Sequence, residues 1–340
     1  MIKKKPGYTV AVLGATGAVG QETLEILEER KFPLASLRLF ASKRSAGEVM
    51  TCQDKEWTVE ELTESSSFEG VDLAFISATD AISKEYGQRL GAAGIVVIDD
   101  SAVFRMDDQV PLVVPEVNAA ALGLMPRGIV AIPNCTTTPL VMALKPLHDA
   151  VGVKRVVVTT FQSVSGTGSA AMDELMEQTK DLLAFRDIKI EVYPHQIAFN
   201  LLPHIGSFND GGDCSEEVKI AKETRKILNA PGLRVTATTV RVPVLRCHSE
   251  AINVELERPL TANEARAALA AMPGVIVYDD PVKKLYPMPL DATGKDEVYI
   301  GRVREDESIT NGLNLWVVSD NLRKGAALNA IQIAECLVNG

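Results

Sequence analysis

The fold is decided by residues 8–20, which read YTVAVLGATGAVG. The first six of these residues are apolar or β-branched and predict a buried strand, and residues 19–29 place apolar side chains at helical spacing. The turn between strand and helix carries glycines in the spacing GxxGxxG. Glycine permits such a tight turn and lets the backbone approach a pyrophosphate closely, and the free N–H groups at the helix start attract phosphate. The stretch therefore predicts a phosphate-binding turn rather than an ordinary glycine-rich connection.

The residues that follow this turn alternate between strand and helix patterns. Strands are predicted at 37–41, 72–78 and 95–99, and a helix is predicted at 81–93. This alternation is typical of a parallel sheet with helices on both faces. We therefore predict an α/β fold with a Rossmann-type dinucleotide-binding domain. Its cofactor contacts in the turn are predicted to be Gly14, Thr16, Gly17, Ala18 and Val19.

The chain after residue 133 has a different pattern, with longer strand-like runs. Strands are predicted at 153–162, 233–244, 252–256, 298–303 and 313–318, and helices at 169–183, 215–228 and 321–338. We expect a second, α+β domain built on a mixed or antiparallel sheet.

Composition limits the classes of function. The chain has 340 residues and a formal net charge of −10, so it has no general attraction for nucleic acid or for an anionic membrane. No apolar run approaches the roughly 18 residues that suggest a membrane span. The five cysteines are scattered without a CxxC pair, which argues against a disulfide framework and a metal site. A reducing, cytoplasmic compartment is the simplest expectation.

The segment after the second predicted strand bears on the identity of the cofactor. Residues 41–47 read ASKRSAG, and no carboxylate occurs there before Glu48. A site specific for NAD usually has an acidic residue at this place for the ribose hydroxyls. Ser42, Arg44 and Ser45 instead suit a ribose 2′-phosphate, because arginine offers a charged fork and the hydroxyls donate. A solvated loop is the alternative, but after the phosphate-binding turn we favour NADP over NAD.

Cys135 is the candidate nucleophile. It lies in IPNCTTTPL, residues 132–140, where Thr138 and Pro139 predict the start of a helix. A helix N-terminus lowers the pKa of a thiol, and nearby N–H groups can hold an oxyanion. A lone cysteine is more often an inert core residue, and Cys214 is a competing candidate at another predicted helix start. Acidic neighbours are expected to raise the pKa of Cys214. Cys52 is expected in a polar loop, and Cys336 is expected on a buried apolar face of the last helix.

A thiolate nucleophile needs an acid–base partner, and the chain has only four histidines. His248 follows a predicted strand, where catalytic groups are often presented. His148 lies on the helix after Cys135 and is expected to cap or pack, and His204 suits a buried hydrogen bond. These residues alone favour His248 only modestly.

Taken together, the motifs resemble the aspartate-semialdehyde dehydrogenase family. The matching stretches, in family order, are GATGAVG at 14–20, ASKRSAG at 41–47, FRMDDQVPLVVPEVN at 104–118, PNCTTTPL at 133–140, FQSVSGTG at 161–168, EEVKIAKETRKIL at 216–228, RVPVLRCHSEA at 241–251 and SDNLRKGAALNAIQIAE at 319–335. The resemblance runs through nearly the whole chain. It implies a glyceraldehyde-3-phosphate dehydrogenase-like C-terminal domain, with residues 1–133 and 320–340 binding NADP and residues 134–319 serving catalysis and dimerisation.

The resemblance also implies a role for each site residue. Cys135 would be the nucleophile, His248 the acid–base and Gln162 the group that orients the thioester. Substrate contacts would come from Arg241 to a carboxylate, from Glu216 to an ammonium, and from Arg105, Asn134 and Lys219 to phosphate. Ser165, Gly166 and Asn321 would contact the cofactor. The substrates implied are aspartyl phosphate, aspartate semialdehyde and inorganic phosphate, in the biosynthesis of lysine, threonine, methionine and diaminopimelate, by a homodimer or homotetramer.

Alternatives stay open at the level of single residues. Arg241 could be part of an ordinary ion pair, Glu216 and Lys219 could pair with each other, and Arg105 could be a solvated loop charge. Two departures from the family pattern are Asp100 beside the expected phosphate pocket and Cys247 directly before His248. The rival functions are another acyl-phosphate reductase, such as N-acetyl-glutamyl-phosphate reductase, and a catalytically silent paralogue.

Overall fold

The computed structural model describes residues 2–339, which form two compact units. Unit 1 comprises residues up to Asn134 together with those from Ala326 onward, and unit 2 runs from Cys135 to Gly325. Within the described residues, no helix has the length and apolarity needed to cross a membrane.

Unit 1 is an α/β layer structure on a largely parallel sheet. Its elements are β1 (Tyr8–Leu13), α1 (Ala18–Glu29), β2 (Leu34–Ala41), β3 (Val49–Cys52), β4 (Lys55–Glu61), β5 (Leu73–Ile76), α2 (Asp80–Ala92), β6 (Val96–Asp99), α3 (Pro115–Asn118), β7 (Ile129–Ala131) and the last helix of the chain, α9 (Leu328–Asn339). The strand order is β3-β4-β2-β1-β5-β6-β7, with only the β3–β4 pair antiparallel in the described sheet. The predicted Rossmann-type architecture is confirmed.

The core of unit 1 lies between this sheet and its helices. Val10 and Val12 on β1 share one buried cluster with Leu27 of α1 and Ile331 of α9. Each such side chain contributes roughly 1.5–3 kcal/mol when it leaves water, so the cluster fixes β1 and the turn that follows it.

The turn after β1 requires its first and last glycines. Gly14 has a φ of +89°, and a Cβ added there would lie 2.2 Å from the carbonyl oxygen of Ser77. A Cβ at Gly20 would lie 2.2 Å from the carbonyl oxygen of Gly14. Gly17 is exposed and is the N-cap of α1. A side chain at either position would therefore clash with the backbone, which explains why both residues are glycine.

Unit 2 is built on a mixed sheet, as predicted. Its elements are α4 (Thr137–Val151), β8 (Val153–Gln162), α5 (Ser169–Leu183), α6 (Ser215–Ile227), β9 (Arg234–Arg241), β10 (His248–Leu256), α7 (Ala262–Ala270), β11 (Val275–Val277), α8 (Pro289–Ala292), β12 (Val298–Asp306) and β13 (Gly312–Ser319). The strand order is β11-β12-β13-β10-β8-β9. β8–β9 and β11–β12 are parallel pairs, and the other neighbours are antiparallel.

Three expectations about local structure were wrong. The hairpin of β3 and β4 was not predicted, and Cys52, expected in a polar loop, is a fully buried residue of β3. Cys336, expected in the core, is exposed on α9. The helix predicted over 321–338 starts later and in a different form, because Arg323–Ala327 form a π-helical turn and α9 begins at Leu328.

Candidate active site

The strand register of unit 2 brings the predicted catalytic side chains together. Gln162, at the end of β8, is paired with Arg241, at the end of the parallel strand β9. β10 runs antiparallel to β8, so its first residue, His248, lies at the same edge of the sheet. His248 is paired in turn with Ser319, the last residue of β13. The ends of four strands, each with a polar residue, therefore lie close together at one edge of the sheet, although they are far apart in sequence.

Cys135 and His248 form the centre of this cluster. The sulfur of Cys135 lies 3.2 Å from Nε2 of His248. Cys135 is half-buried and directly precedes Thr136, the N-cap of α4. This places the sulfur at a helix N-terminus, in the position that favours thiolate over thiol.

Burial makes three of the other cysteines weaker candidates for the nucleophile. Burial raises the pKa of Cys52 to about 11 and that of Cys247 to about 12. Cys214 is buried, with its sulfur 3.1 Å from Oγ1 of Thr239. Cys247 also has a φ of +73°, a left-handed conformation in which glycine would be relaxed. Geometry therefore favours Cys135 over the competing Cys214.

His248 is held from its far side by Ser163. The backbone N–H of Ser163 donates to Nδ1 of His248 at 3.0 Å, and the Ser163 hydroxyl oxygen lies 3.1 Å from the same nitrogen. The ring is only 1% exposed. Burial, and next the charge of Arg241, hold the pKa of His248 well below its usual value.

Gln162 and Glu216 belong to one buried hydrogen-bonded chain. Thr160 donates its hydroxyl to Oε1 of Gln162 at 3.0 Å, and Nε2 of Gln162 donates to Oε1 of Glu216 at 3.2 Å. Nζ of Lys219 lies 3.6 Å from Oε2 of Glu216. The pairing of Glu216 with Lys219, left open by the sequence, is thus present, and it leaves Lys219 partly exposed beside the buried carboxylate.

Arg241 is a buried cation without an acidic partner. Its side chain is 5% exposed, its Nη1 donates to the carbonyl oxygen of Ser163 at 2.7 Å, and its Nε has no hydrogen-bond partner. Among the described residues, no carboxylate pairs with it. A buried charge without a counter-ion is costly, so the ion-pair alternative does not hold and an anionic ligand is the natural partner.

The residues predicted to lie by the nicotinamide divide into two kinds. Gly166 is exposed, and a Cβ added there would lie 3.1 Å from Nη1 of Arg241 and 3.2 Å from Nε2 of His248. Asn321 is buried, and its Oδ1 accepts from the hydroxyls of Ser163 and Ser165 and from the N–H of Cys247. Gly166 therefore lies on the solvent-exposed side of the cluster. Asn321 lies inside the cluster, where its side-chain oxygen already accepts hydrogen bonds.

The predicted cofactor contacts of unit 1 also come together. The Thr16 hydroxyl donates to the Ser45 hydroxyl oxygen at 3.3 Å, which joins the glycine turn to the segment after β2. Ser42 and Arg44 are exposed there. Ala18 and Val19 open α1 directly after Gly17.

Two further predicted substrate contacts lie in unit 1. Arg105 is buried rather than solvated, and its Nη2 donates to the carbonyl oxygen of Asp100 at 2.7 Å and lies 3.7 Å from that residue's carboxylate. Asp100, the departure from the family pattern, is therefore an ion-pair partner of Arg105. Asn134, next in sequence to Cys135, is also buried.

Gly325 was not among the site residues predicted from the sequence, and it packs directly against Cys135. A Cβ at position 325 would lie 3.0 Å from Cβ and 3.2 Å from the carbonyl oxygen of Cys135. Gly325 lies in the π-helical turn, and such turns occur often at functional sites. A glycine inside an otherwise helical run was the available signal, because alanine stabilises a helix by about 1 kcal/mol more.

We expect Gly325→Ala to lower kcat by about tenfold to a hundredfold while leaving the fold intact. The added methyl displaces Cys135 by a few tenths of an ångström, and small misplacements of reacting groups are costly. Steady-state kinetics with thermal unfolding measures this. Gly232→Ala is the matched control, because a Cβ there meets no atom within 4 Å. Wild-type kcat in Gly325→Ala would show that this contact has no catalytic importance.

Glu250, two residues after His248, is a second feature that the sequence did not reveal. It is 1% exposed, and neither of its carboxylate oxygens has a hydrogen-bond partner. Burial raises its pKa well above the usual value, so the folded chain keeps a proton that the unfolded chain loses. The folded state then binds more protons than the unfolded state, and this group lowers stability as pH rises above the ordinary glutamate pKa.

We expect Glu250→Met to be more stable than the wild type at pH 8 by about 1–3 kcal/mol, the usual cost of an unsatisfied buried polar group. The difference should shrink as pH falls toward the ordinary glutamate pKa. Chemical denaturation across pH measures it. Glu250→Gln is the control, since it cannot ionise but still buries unpaired polar atoms. Destabilisation by Met at every pH would show that the carboxyl has a partner.

Two protein-family models match the chain. Residues 9–125 match the family model described as semialdehyde dehydrogenase, NAD binding domain, and residues 144–324 match semialdehyde dehydrogenase, dimerisation domain. The two matches together define a semialdehyde dehydrogenase.

The individual relatives narrow this class. The chain is 52% identical to an aspartate-semialdehyde dehydrogenase of Legionella pneumophila, over 96% of this chain and 95% of that protein. It is 50% identical to the enzyme of the same name from Aquifex aeolicus, over 98% of both. The chain belongs to the aspartate-semialdehyde dehydrogenase family, as its motifs indicated.

Solved structures agree with the sequence relatives. The crystal structure of aspartate semialdehyde dehydrogenase II complexed with ASA from Vibrio cholerae has a TM-score of 0.96 at 44% identity, covering 98% of this chain and 99% of that one. The Candida albicans enzyme with NADP has a TM-score of 0.75 at 27% identity, covering 97% and 98%. The predicted fold class is confirmed.

Proposed function

We propose that the chain is an NADP-dependent aspartate-semialdehyde dehydrogenase, an oxidoreductase that interconverts L-aspartyl 4-phosphate and NADPH with L-aspartate 4-semialdehyde, NADP and phosphate. The observation that carries this proposal is the sulfur of Cys135 at 3.2 Å from Nε2 of His248, beside a buried arginine without a counter-ion. The product would feed the lysine, threonine, methionine and diaminopimelate branches of biosynthesis.

Covalent chemistry on Cys135 divides the reaction into two feasible steps. In the biosynthetic direction, the thiolate attacks the acyl phosphate, a C–S bond forms, the C–O bond to phosphate breaks, and phosphate leaves with the electron pair. Addition of one hydride to the thioester carbonyl carbon, which NADPH would supply, gives the anion of a hemithioacetal. This adduct collapses to the aldehyde as the C–S bond breaks and its electrons return to sulfur. The oxidative direction reverses each step, with phosphate displacing the thioester.

The other residues of the cluster suit the charges of this substrate. Arg241 can hold the substrate carboxylate as a two-pronged donor, and the buried carboxylate of Glu216 can hold the ammonium. His248 faces the sulfur, and Gln162 is placed to orient the thioester. Arg105, Asn134 and Lys219 are proposed to hold the phosphate. These roles rest on the family resemblance and on the burial and contacts described above.

The residues of unit 1 fit a bound NADP. Gly17 is exposed at the N-cap of α1, and Arg44 is exposed without an ion-pair partner among the described residues. A phosphate can therefore approach both the helix N-terminus and a free guanidinium. When bound, the nicotinamide supplies or accepts the hydride. We propose that unit 1 holds NADP, with Ser165, Gly166 and Asn321 nearest the nicotinamide, and that unit 2 performs the chemistry.

Arg44→Glu tests the choice of NADP over NAD. A carboxylate at this place repels the 2′-phosphate and can accept from the ribose hydroxyls, so we expect kcat/KM for NADP to fall by about a hundredfold and that for NAD to fall little. Kinetics with both cofactors measures this. Lys43→Glu, at the neighbouring residue, is the control for a general charge effect. Unchanged NADP preference in Arg44→Glu would contradict the assignment.

A substrate comparison tests the function itself. We expect phosphate-dependent reduction of NADP⁺ with aspartate semialdehyde and little with N-acetylglutamate semialdehyde. The second substrate carries an amide instead of an ammonium, so the buried carboxylate of Glu216 has no cation to bind. Preference for the N-acetylated substrate would favour the reductase alternative, and inactivity with both would favour a silent paralogue.

Unit 2 is also proposed to form a homodimer, or a homotetramer built from dimers. Its match to a dimerisation domain supports this, as do large exposed apolar side chains such as Phe185, Phe199 and Val282. Sedimentation velocity tests it, and a monomer at micromolar concentration would contradict it. Five free thiols support a reducing, cytoplasmic location.

A further inference from the structure

Thr160 is a fully buried residue of β8 whose hydroxyl contacts the site residue Gln162. From Val156 onward, burial alternates along the strand, so Thr160 and Gln162 lie on the same inward face as Val156 and Val158. Valine has the shape of threonine, so packing alone does not require a hydroxyl at this position. Among the described residues, the Thr160 hydroxyl has one hydrogen-bond partner, Oε1 of Gln162 at 3.0 Å.

The two strands beside β8 also bring polar residues next to Thr160. The strand register pairs Thr160 with Thr239 on β9 and with Glu250 on β10. The Thr239 hydroxyl oxygen lies 3.1 Å from the sulfur of Cys214, and neither carboxylate oxygen of Glu250 has a hydrogen-bond partner. Neither neighbour therefore draws the Thr160 hydroxyl away from Gln162.

The amide of Gln162 is held from two sides. Its Nε2 donates to Oε1 of Glu216 at 3.2 Å, and Nζ of Lys219 lies 3.6 Å from the other oxygen of that carboxylate. An amide turned by 180° would place its oxygen against the carboxylate, and two acceptors facing each other in a buried site lose a hydrogen bond. Glu216 therefore determines the position of Nε2, and the Thr160 hydroxyl then meets Oε1.

This orientation determines what Gln162 can offer to a ligand. Its oxygen already accepts from Thr160, and one of the two hydrogens on Nε2 goes to Glu216. Among the described residues, no group accepts the second hydrogen. The side chain is 1% exposed, so solvent does not replace a bond that is lost. Gln162 is therefore set to act as a hydrogen-bond donor.

We propose that Thr160 is a positioning residue for the reaction: its hydroxyl holds the Gln162 amide so that the second Nε2 hydrogen is presented to an oxygen of the substrate bound on Cys135. The inference deepens the proposed function, because it rests on the role of Gln162 in orienting the thioester. Thr160 acts only through Gln162, and its contribution is the placement of that donor.

Thr160→Val removes the hydroxyl and keeps the volume of the side chain. Oε1 of Gln162 then loses its donor, so we expect kcat with aspartate semialdehyde to fall by about tenfold while KM stays within about threefold of the wild type. Thr160→Ser keeps the hydroxyl and loses a methyl group. It should be less stable than the wild type yet keep kcat within about threefold. An equal loss of kcat in the serine and valine variants would overturn the proposal.

Thr239→Val is the matched control for Thr160→Val. Thr239 is the neighbour of Thr160 on β9 and is equally buried, but its hydroxyl contacts Cys214 instead of Gln162. Its kcat should equal that of the wild type, and a fall as large as that in Thr160→Val would show that any buried threonine of this face has the same effect and would overturn the proposal.

A double-mutant cycle tests whether Thr160 acts through Gln162. Once Gln162→Ala has removed the amide, adding Thr160→Val should change kcat by less than about twofold, because coupled residues are not additive. A further fall by the full factor seen in the single variant would show that Thr160 acts by another route, which a purely structural role predicts.

Crystal structures of the wild type and of Thr160→Val, both without substrate, separate this inference from the proposed function. We expect the Gln162 amide to leave its wild-type position in the variant and its hydrogen bond to Glu216 to be lost. An unmoved amide would overturn the inference even in an active aspartate-semialdehyde dehydrogenase. A wild type inactive with aspartate semialdehyde would reject the proposed function, and the crystal comparison would still decide the inference. Thr160→Ala serves the same comparison if the valine variant does not fold.

Discussion

Cys135→Ala is expected to lower kcat by at least about a thousandfold, because alanine cannot form the thioester through which both half-reactions pass. NADP binding and thermal stability should change little, since the half-buried sulfur has no structural role comparable to that of a core side chain. Steady-state kinetics and cofactor titration measure these quantities separately.

Cys336→Ala is the matched control for this substitution, because Cys336 is exposed on α9 in unit 1. It should retain wild-type activity. More than a tenth of wild-type kcat in Cys135→Ala would contradict the assignment of the nucleophile and would direct attention to Cys214.

Arg241→Lys is expected to lower kcat/KM by about tenfold to a hundredfold, mainly through a higher KM. Lysine keeps the positive charge but replaces a planar, two-pronged donor with a point charge, and a hydrogen bond to a charged group is worth about 1.5–3 kcal/mol. The buried guanidinium has no acidic partner among the described residues, so its charge is available to the substrate.

Arg234→Lys is the control for Arg241→Lys, because Arg234 begins the same strand and makes an exposed ion pair with Glu255. Exposed pairs contribute little, so its kinetics should be unchanged. A fall in kcat with unchanged KM in Arg241→Lys would indicate a role in the transition state rather than in binding.

The sequence was most informative where a local steric limit decided the residue. Gly14 is an example, since any side chain there would collide with Ser77, and the constraint is visible as a glycine after an apolar run. Strand–helix alternation likewise predicted the parallel sheet, because such patterns depend on neighbours in the chain.

The wrong predictions concern residues whose burial depends on the segments that pack against them and not on the local sequence pattern. Four of the seven residues of Lys55–Glu61 are charged and one side chain is buried, so β4 has little strand-like apolar character. Cys336 lies among apolar residues of α9 but on the face that stays exposed. Cys52 is followed by the polar residues Gln53 and Asp54, yet its side chain is fully buried.

The finer features of the site depend on contacts between distant segments. The contact between Ser163 and the His248 ring depends on the register of β8 against β10, which brings together residues 85 positions apart in the chain. The contact of Gly325 with Cys135 requires the π-helical turn, which a helical sequence pattern does not distinguish from an α-helix. Residues that are neighbours in the chain carry no sign of such contacts.

Intact-protein mass spectrometry tests the central claim most directly. The chain would be mixed with aspartate semialdehyde and NADP⁺ without phosphate, so that the thioester forms but cannot be released as acyl phosphate. We predict a single aspartyl adduct, located on Cys135 by peptide mapping and discharged when phosphate is added. Turnover without any adduct, or an adduct on another residue, would contradict the account.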